Sequence, residues 1–131
     1  MNILVLCTGN SCRSQMAEGF LKHLGFNVKS AGIESHGINK YAVKVMSEIG
    51  IDISLHYSKK ISEIDISIMQ VLITVCDSAK ENCPLISGIN KHYHCSFDDP
   101  SQNHDLKSYR IVRDEIKNYI FDLAIELTKN E

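Results

Sequence analysis

The chain alternates two kinds of hydrophobic pattern. Ile3-Leu4-Val5-Leu6 is a short unbroken apolar run, which fits a strand over residues 2–6 buried on both faces of a parallel sheet. Residues 14–24 then place Met16, Ala17, Phe20, Leu21 and Leu24 on one helical face, with Gly25 positioned to end the helix. Residues 26–31 predict a second strand, and Tyr41, Ala42, Val45, Met46 and Ile49 a second helical stripe closed by Gly50. Residues 71–75 form another buried strand, and residues 91–97 a fourth strand in which His92 and His94 alternate onto one solvent face. Tyr109, Val112, Ile116, Tyr119, Ile120, Leu123 and Leu127 recur at steps of three and four, so the last segment is a long helix. Strands alternating with helices imply right-handed crossovers and a parallel α/β sheet, with ligands beyond the carboxyl ends of the strands.

Composition narrows the class. With 131 residues, 44% hydrophobic and 23% charged, the chain suits one domain, residues 1–131, with one ordinary core. There is no repeat, linker or low-complexity tract, and a net charge of −2 gives no footprint for nucleic acid. The opening apolar run is too short for a membrane span and lacks the charged start and cleavage site of a signal peptide. A cytoplasmic protein without nucleic-acid or membrane partners is expected. Five cysteines are an odd count, which in that compartment points to thiol chemistry or metal ligation rather than structural disulfides.

The loop Cys7-Thr8-Gly9-Asn10-Ser11-Cys12-Arg13-Ser14 joins the first strand to the first helix. Gly9 and Asn10 tolerate positive φ, letting backbone N–H groups turn inward as an anion nest. The helix N-terminus adds donors and partial positive charge, and the Arg13 fork fits two oxygens of a tetrahedral oxyanion. The same surroundings favour the Cys7 thiolate, and Ser14 is placed to donate a hydrogen bond to the sulfur. The loop is thus expected to hold an oxyanion with Thr8, Gly9, Asn10, Ser11, Cys12, Arg13 and Ser14 while aiming Cys7 at its centre. Cys12 reads as a packed thiol.

Cys76 ends the strand over residues 71–75, at the same sheet edge as Cys7, and Cys83 follows just before Pro84. On a helix capped by Asp77 or Ser78, Cys76 and Cys83 are about 10 Å apart, whereas a disulfide needs Cα atoms within about 7 Å. Joining them requires that short helix to unwind, which is cheap because so short a helix is marginal alone. Cys76, Cys83, His92, His94 and Cys95 match no standard zinc spacing, so no metal is expected. Phe97-Asp98-Asp99-Pro100 hangs over the same edge, and Asp99, with Asp98 as alternative, is the candidate proton donor to a departing oxygen.

These residues resemble the thioredoxin-coupled arsenate reductases. The resemblance runs through Cys7 to Ser14 into Gln15-Met16-Ala17-Glu18-Gly19 and includes Ser30-Ala31-Gly32-Ile33-Glu34 and Ile51-Asp52-Ile53-Ser54. It extends to Cys76, Cys83-Pro84, Phe97 to Pro100 and Val112-Arg113-Asp114-Glu115-Ile116, nearly the whole chain. It implies the fold of the low-molecular-weight tyrosine phosphatases, a three-layer α/β sandwich with a four-stranded parallel sheet flanked by helices. It also implies external thioredoxin as reductant; a monomer with no cofactor of its own is expected. Its chemistry would be a thiol relay: Cys7 attacks arsenate, Asp99 protonates the departing oxygen, Cys76 displaces arsenite from Cys7, and Cys83 takes over the disulfide for thioredoxin to reduce.

The sequence departs from the family at one point. Some members bind potassium with side chains that include Asn10 and Ser30 and two residues just after the Ile51–Ser54 stretch. There this chain has Tyr57 and Lys59 where a hydroxyl and a carboxylate are usual, so the Lys59 ammonium is expected in the cation's place. The rival reading is a tyrosine phosphatase using Cys7, Arg13 and Asp99. Those enzymes typically carry aromatic residues after the Asp-Pro, whereas Ser101, Gln102 and Asn103 follow here. A thiol redox sensor or metal-binding module would leave Arg13 and the Gly9-Asn10 turn without a role.

Overall fold

In the computed structural model, which describes residues 1–76, 89 and 91–129, the opening apolar run is strand β1 (Asn2–Cys7). Side chains alternate between sheet faces, yet Ile3, Leu4 and Val5 are all fully buried, so both faces are covered. Strands β2 (Asn27–Gly32), β3 (Val71–Thr74) and β4 (Lys91–His94) complete a parallel sheet in the order β2-β1-β3-β4. Ile3 pairs with both Val28 and Val71, and Leu6 with both Ala31 and Thr74, which puts β1 at the centre. Its carboxyl end delivers Cys7 to the sheet edge.

Three helices follow the expected stripes. Helix α1 (Arg13–His23) ends at Gly25, whose φ of 92° few other residues adopt. Helix α2 (Lys40–Ser47) is capped by Asn39, whose Oδ1 accepts from the backbone N–H groups of Tyr41 at 2.8 Å and Ala42 at 3.2 Å. Helix α3 (Leu106–Lys129) packs on α1 and α2, with Phe20 edge-on to Phe121 at 6.0 Å. Arg113, buried in α3, donates to Val45 O and Glu48 Oε1 at 3.0 Å each, satisfying a carbonyl near the end of α2.

The regular strand β4 stops at His94 rather than Phe97. Its partner β3 ends at Thr74, and beyond that only isolated rungs remain, Cys95 N–H to Thr74 O at 3.0 Å and Phe97 N–H to Val75 O at 3.3 Å. The two histidines do share a face, but not one given wholly to solvent: His92 Nε2 and His94 Nδ1 lie 3.0 and 2.6 Å from the buried Thr74 Oγ1. The expected short helix of residues 77–83, with Cys83 and Pro84, lies outside the described residues.

Candidate active site

Beyond the ends of β1 and β3, residues 7–13 of the connecting loop, Asn10 excepted, line a cavity of about 130 Å³ together with His36, Asp99 and Ser101. A larger, mostly apolar cavity of about 590 Å³ lies between Leu24, Phe26, Phe121 and Ile125, remote from these thiols and acids. The small polar cavity is therefore the chemical one.

Cys7 and Cys76 are both buried, and their thiols are hydrogen-bonded to one another. Thr8 Oγ1 lies 3.2 Å from Cys76 Sγ, so the second thiol is held beneath the anion loop. This contact changes the expected ionisation of Cys7. Its pKa is pushed well above the ordinary thiol range, first by the hydrogen bond to Cys76 and next by burial. The Arg13 charge and the Thr8 N–H pull it down, as the sequence suggests, but they are outweighed. Burial, reinforced by the Asp99 charge, pushes Cys12 up to about 12, which suits a packed neutral thiol.

Arg13 opens α1 with its side chain only 13% exposed. Its Nη1 donates to Phe97 O at 3.0 Å, and its Nη2 is 3.9 Å from Asp99 Oδ2. The carbonyl that carries the acid segment therefore holds the guanidinium in place. Asp99 Oδ1 accepts from Ser101 N and Oγ at 3.0 and 2.7 Å, capping a single 3₁₀ turn (Pro100–Gln102) and leaving Oδ2 toward Arg13. Phe97 packs edge-on against Tyr119 of α3, with ring centroids 5.9 Å apart, and fixes the segment from below. Cys7, Cys76, Arg13 and Asp99 are thus brought together, while Cys83 lies outside the described residues.

Two expected oxyanion-binding residues sit elsewhere. Asn10 and Ser14 are fully buried and do not line the cavity; they brace the loop from behind. Ser14 Oγ accepts from Asn10 Nδ2 at 2.9 Å. Of Gly9 and Asn10, Asn10 takes the left-handed conformation, with φ of 49°. Its Nδ2 also donates to Ser30 Oγ at 2.9 Å, and its Oδ1 accepts from Gln15 Nε2 at 3.0 Å and Lys59 N at 2.9 Å. All of its side-chain hydrogen-bonding capacity is spent on loop shape. Gly9 is needed for a different reason than φ: a Cβ there would overlap Nδ1 of the His36 ring and lie 3.0 Å from its Cγ.

Behind Asn10 lies a charged cluster of which the sequence pointed to Lys59 alone. Glu18 is 2% exposed; it accepts from Ser30 N and Oγ at 2.8 and 2.6 Å and is ringed by Lys22 at 2.7 Å, His56 at 3.3 Å and Lys59 at 3.7 Å. Burial alone would raise its pKa, but Lys22, Ser30, Lys59 and His56 together hold it below the ordinary carboxylate range. Burial lowers the pKa of both His56 and Lys59, with Glu18 opposing in each case. Lys59 Nζ also donates to Tyr57 O at 3.1 Å, so an ammonium already stands among Glu18, Tyr57 O and the bonds of Asn10 Oδ1. This donor set does not fit a potassium ion, which would face that charge. The i,i+4 pair Glu18–Lys22 was the available signal. His36 was findable too, since it follows the carboxyl end of β2 at the same sheet edge.

The decisive comparison is with a family description, Low molecular weight phosphotyrosine protein phosphatase, which matches residues 2–131. The chain belongs to this family. Within it, arsenate reductase 1 of Staphylococcus epidermidis is 48% identical over 125 residues, covering 93% of this chain and 94% of that protein. A solved arsenate reductase in a phosphate-binding state superposes with a TM-score of 0.86 at 33% identity, covering 95% of this chain and 97% of that one. The tyrosine phosphatase of T. tengcongensis gives 0.84 at 29% identity, covering 96% and 99%. The resemblance read from the sequence and the expected four-stranded parallel phosphatase fold are both borne out. Among the described residues of this family member, no helix is long and apolar enough to cross a membrane.

Proposed function

We propose that the protein is an arsenate reductase in which Cys7 is the nucleophile and Cys76 the first resolving thiol. One observation carries this reading: a second buried thiol is hydrogen-bonded to the nucleophile at the floor of an oxyanion-sized cavity. Arsenate reductases among the relatives supply the substrate class.

In the first step Cys7 passes its proton to an arsenate oxygen and the thiolate attacks arsenic(V), and one arsenate hydroxyl leaves as water with a proton from Asp99. Arg13 and the loop bind the remaining oxygens. Cys76, as thiolate, then attacks Cys7 sulfur. The sulfur–arsenic bond breaks, its electron pair stays on arsenic, and arsenite departs as arsenic(III) while a Cys7–Cys76 disulfide forms. Cys83 attacks Cys76 and releases Cys7 as thiolate, and a dithiol protein of the thioredoxin class reduces the Cys76–Cys83 disulfide. Two electrons enter from that dithiol and two leave on arsenite. The Cys7–Cys76 hydrogen bond supports the second step, because the thiols lie within reach before any rearrangement.

A phosphatase would use Cys7, Arg13 and Asp99 alike, with water completing the reaction and Cys76 unused; its support is the shared fold. Arsenate-dependent NADPH oxidation with thioredoxin and thioredoxin reductase separates the two. The wild type turns over, and Cys83→Ser stops after about one equivalent of arsenite, in keeping with a relay that needs all three thiols. Phosphatase turnover indifferent to Cys76→Ser and Cys83→Ser, with no arsenite formed, would make the protein a phosphatase.

A further inference from the structure

Among the described residues, His36 is the one cavity-lining residue that belongs to neither the anion loop nor the acid segment. Its side chain is 54% exposed, and an exposed histidine ordinarily swings freely, yet this one is fastened at three points. Its backbone N–H donates to Gly9 O at 3.0 Å. The ring lies against Gly9, where no side chain fits beneath it. Its Nε2 is held 2.7 Å from Glu34 Oε2. The neighbouring backbone is pinned as well: Ser35 Oγ donates to Ser58 Oγ at 3.1 Å, and Ser58 Oγ donates to Gly9 O at 3.0 Å.

We infer that His36 is a specificity-determining residue: its tethered imidazole is a fixed wall that admits an unsubstituted tetrahedral oxyanion and turns away esters with a bulky group. The cavity of about 130 Å³ is well below the roughly 300 Å³ at which pockets begin to enclose a drug-sized organic ligand. An ester bound with its oxyanion in the loop must project its organic group out past the lip, near Asp99, which has to reach the leaving oxygen. Ser101 and His36 stand at that lip, and among the described residues lining the cavity there is no hydrophobic aromatic ring for an aryl group to stack on. Arsenate, whose leaving group is only water, needs no such exit, so the wall excludes competitors without weakening the small substrate. This is selectivity by obstruction rather than by added attraction.

The inference rests on the reading of the cavity as an oxyanion site, and the test separates the two. Wild type, His36→Ala and Glu34→Gln are compared for kcat/KM toward p-nitrophenyl phosphate and for inhibition by inorganic phosphate. His36→Ala is expected to raise the aryl ester's kcat/KM roughly tenfold, the scale on which pocket walls discriminate, while the phosphate inhibition constant stays within about threefold. Glu34→Gln, which loosens the ring without removing it, should move the ester rate the same way by less, and it serves if His36→Ala folds poorly. An ester rate that is unchanged, or that falls in step with phosphate affinity, would overturn the role of His36. Failure of phosphate and arsenate to bind the wild type at all would overturn the oxyanion reading and this inference together.

Discussion

Cys7 and Cys76 share a hydrogen bond that pushes the Cys7 pKa above the ordinary thiol range. The bond is the largest influence raising Cys7, so its removal should lower the pH at which Cys7 becomes nucleophilic. In Cys76→Ala the pH midpoint of Cys7 alkylation by iodoacetamide is expected to fall, with thiolate absorbance rising at the same lower pH. Arg13→Ala should move the midpoint the other way, since that charge lowers the thiol. An unmoved midpoint in Cys76→Ala would show that the contact does not govern the nucleophile.

The Lys59 ammonium beside Glu18 predicts activity indifferent to potassium. Exchanging sodium for potassium at fixed ionic strength should leave kcat/KM unchanged; a rise with potassium would contradict the assignment. Lys59→Ala, in contrast, removes one partner of a buried carboxylate and should cost about 3 kcal/mol in urea unfolding.

Two glycines predict opposite consequences. A Cβ on Gly32 would overlap the Glu34 carbonyl oxygen and lie 2.8 Å from Asn10 N and Thr8 O, all of it backbone. Gly32→Ala should therefore lose about 2–3 kcal/mol and weaken phosphate binding, because the anion loop itself has to shift. At Gly9 the three atoms nearest a Cβ all belong to the His36 ring, so Gly9→Ala should cost roughly 1 kcal/mol and displace that ring instead. Denaturant midpoints and phosphate titrations of the two variants would tell them apart.

Stability should fall in mild acid in two stages. His56 has a folded pKa below its ordinary 6.5, so the unfolded chain binds the extra proton first, and stability is lost as pH drops below 6.5 toward the folded value. Glu18 is held below its ordinary 4.5, so its contribution is complete above that pH and lost as pH falls further through its folded value. In His56→Gln the first stage should flatten while the second remains, which thermal unfolding across pH would record.

The strands and helices were largely readable because their apolar residues obey one period at a time. β1 and β3 are continuous runs, and α3 repeats at three and four over its length. The placement of Cys7, Arg13, Cys76 and Asp99 followed from the rule that α/β sites gather at strand carboxyl ends. What escaped depended on contacts between segments far apart in sequence. Asn10 and Ser14 look like anion ligands when read as loop residues, and only the bonds of Asn10 to Ser14, Ser30, Gln15 and Lys59 turn the pair inward. Glu18 looks like a surface charge on a helix whose apolar stripe faces elsewhere, yet α1 is buried continuously from Ser14 to Leu21. The lift in the Cys7 pKa comes from a partner 69 residues away, which no local pattern announces.

Past the end of the sheet, residues 33–39 continue beside the anion loop by four backbone rungs: Ile33 to Cys7, Glu34 to Thr8, His36 to Gly9 and Asn39 to Ser11. A ladder of this kind fixes length. One residue inserted between Gly32 and Asn39 would carry the imidazole off Gly9 and pull the cap of α2 away from Ser11 in a single stroke. New selectivity can therefore be written into this stretch by exchanging side chains, whereas lengthening it would dismantle the catalytic loop and the start of a helix together.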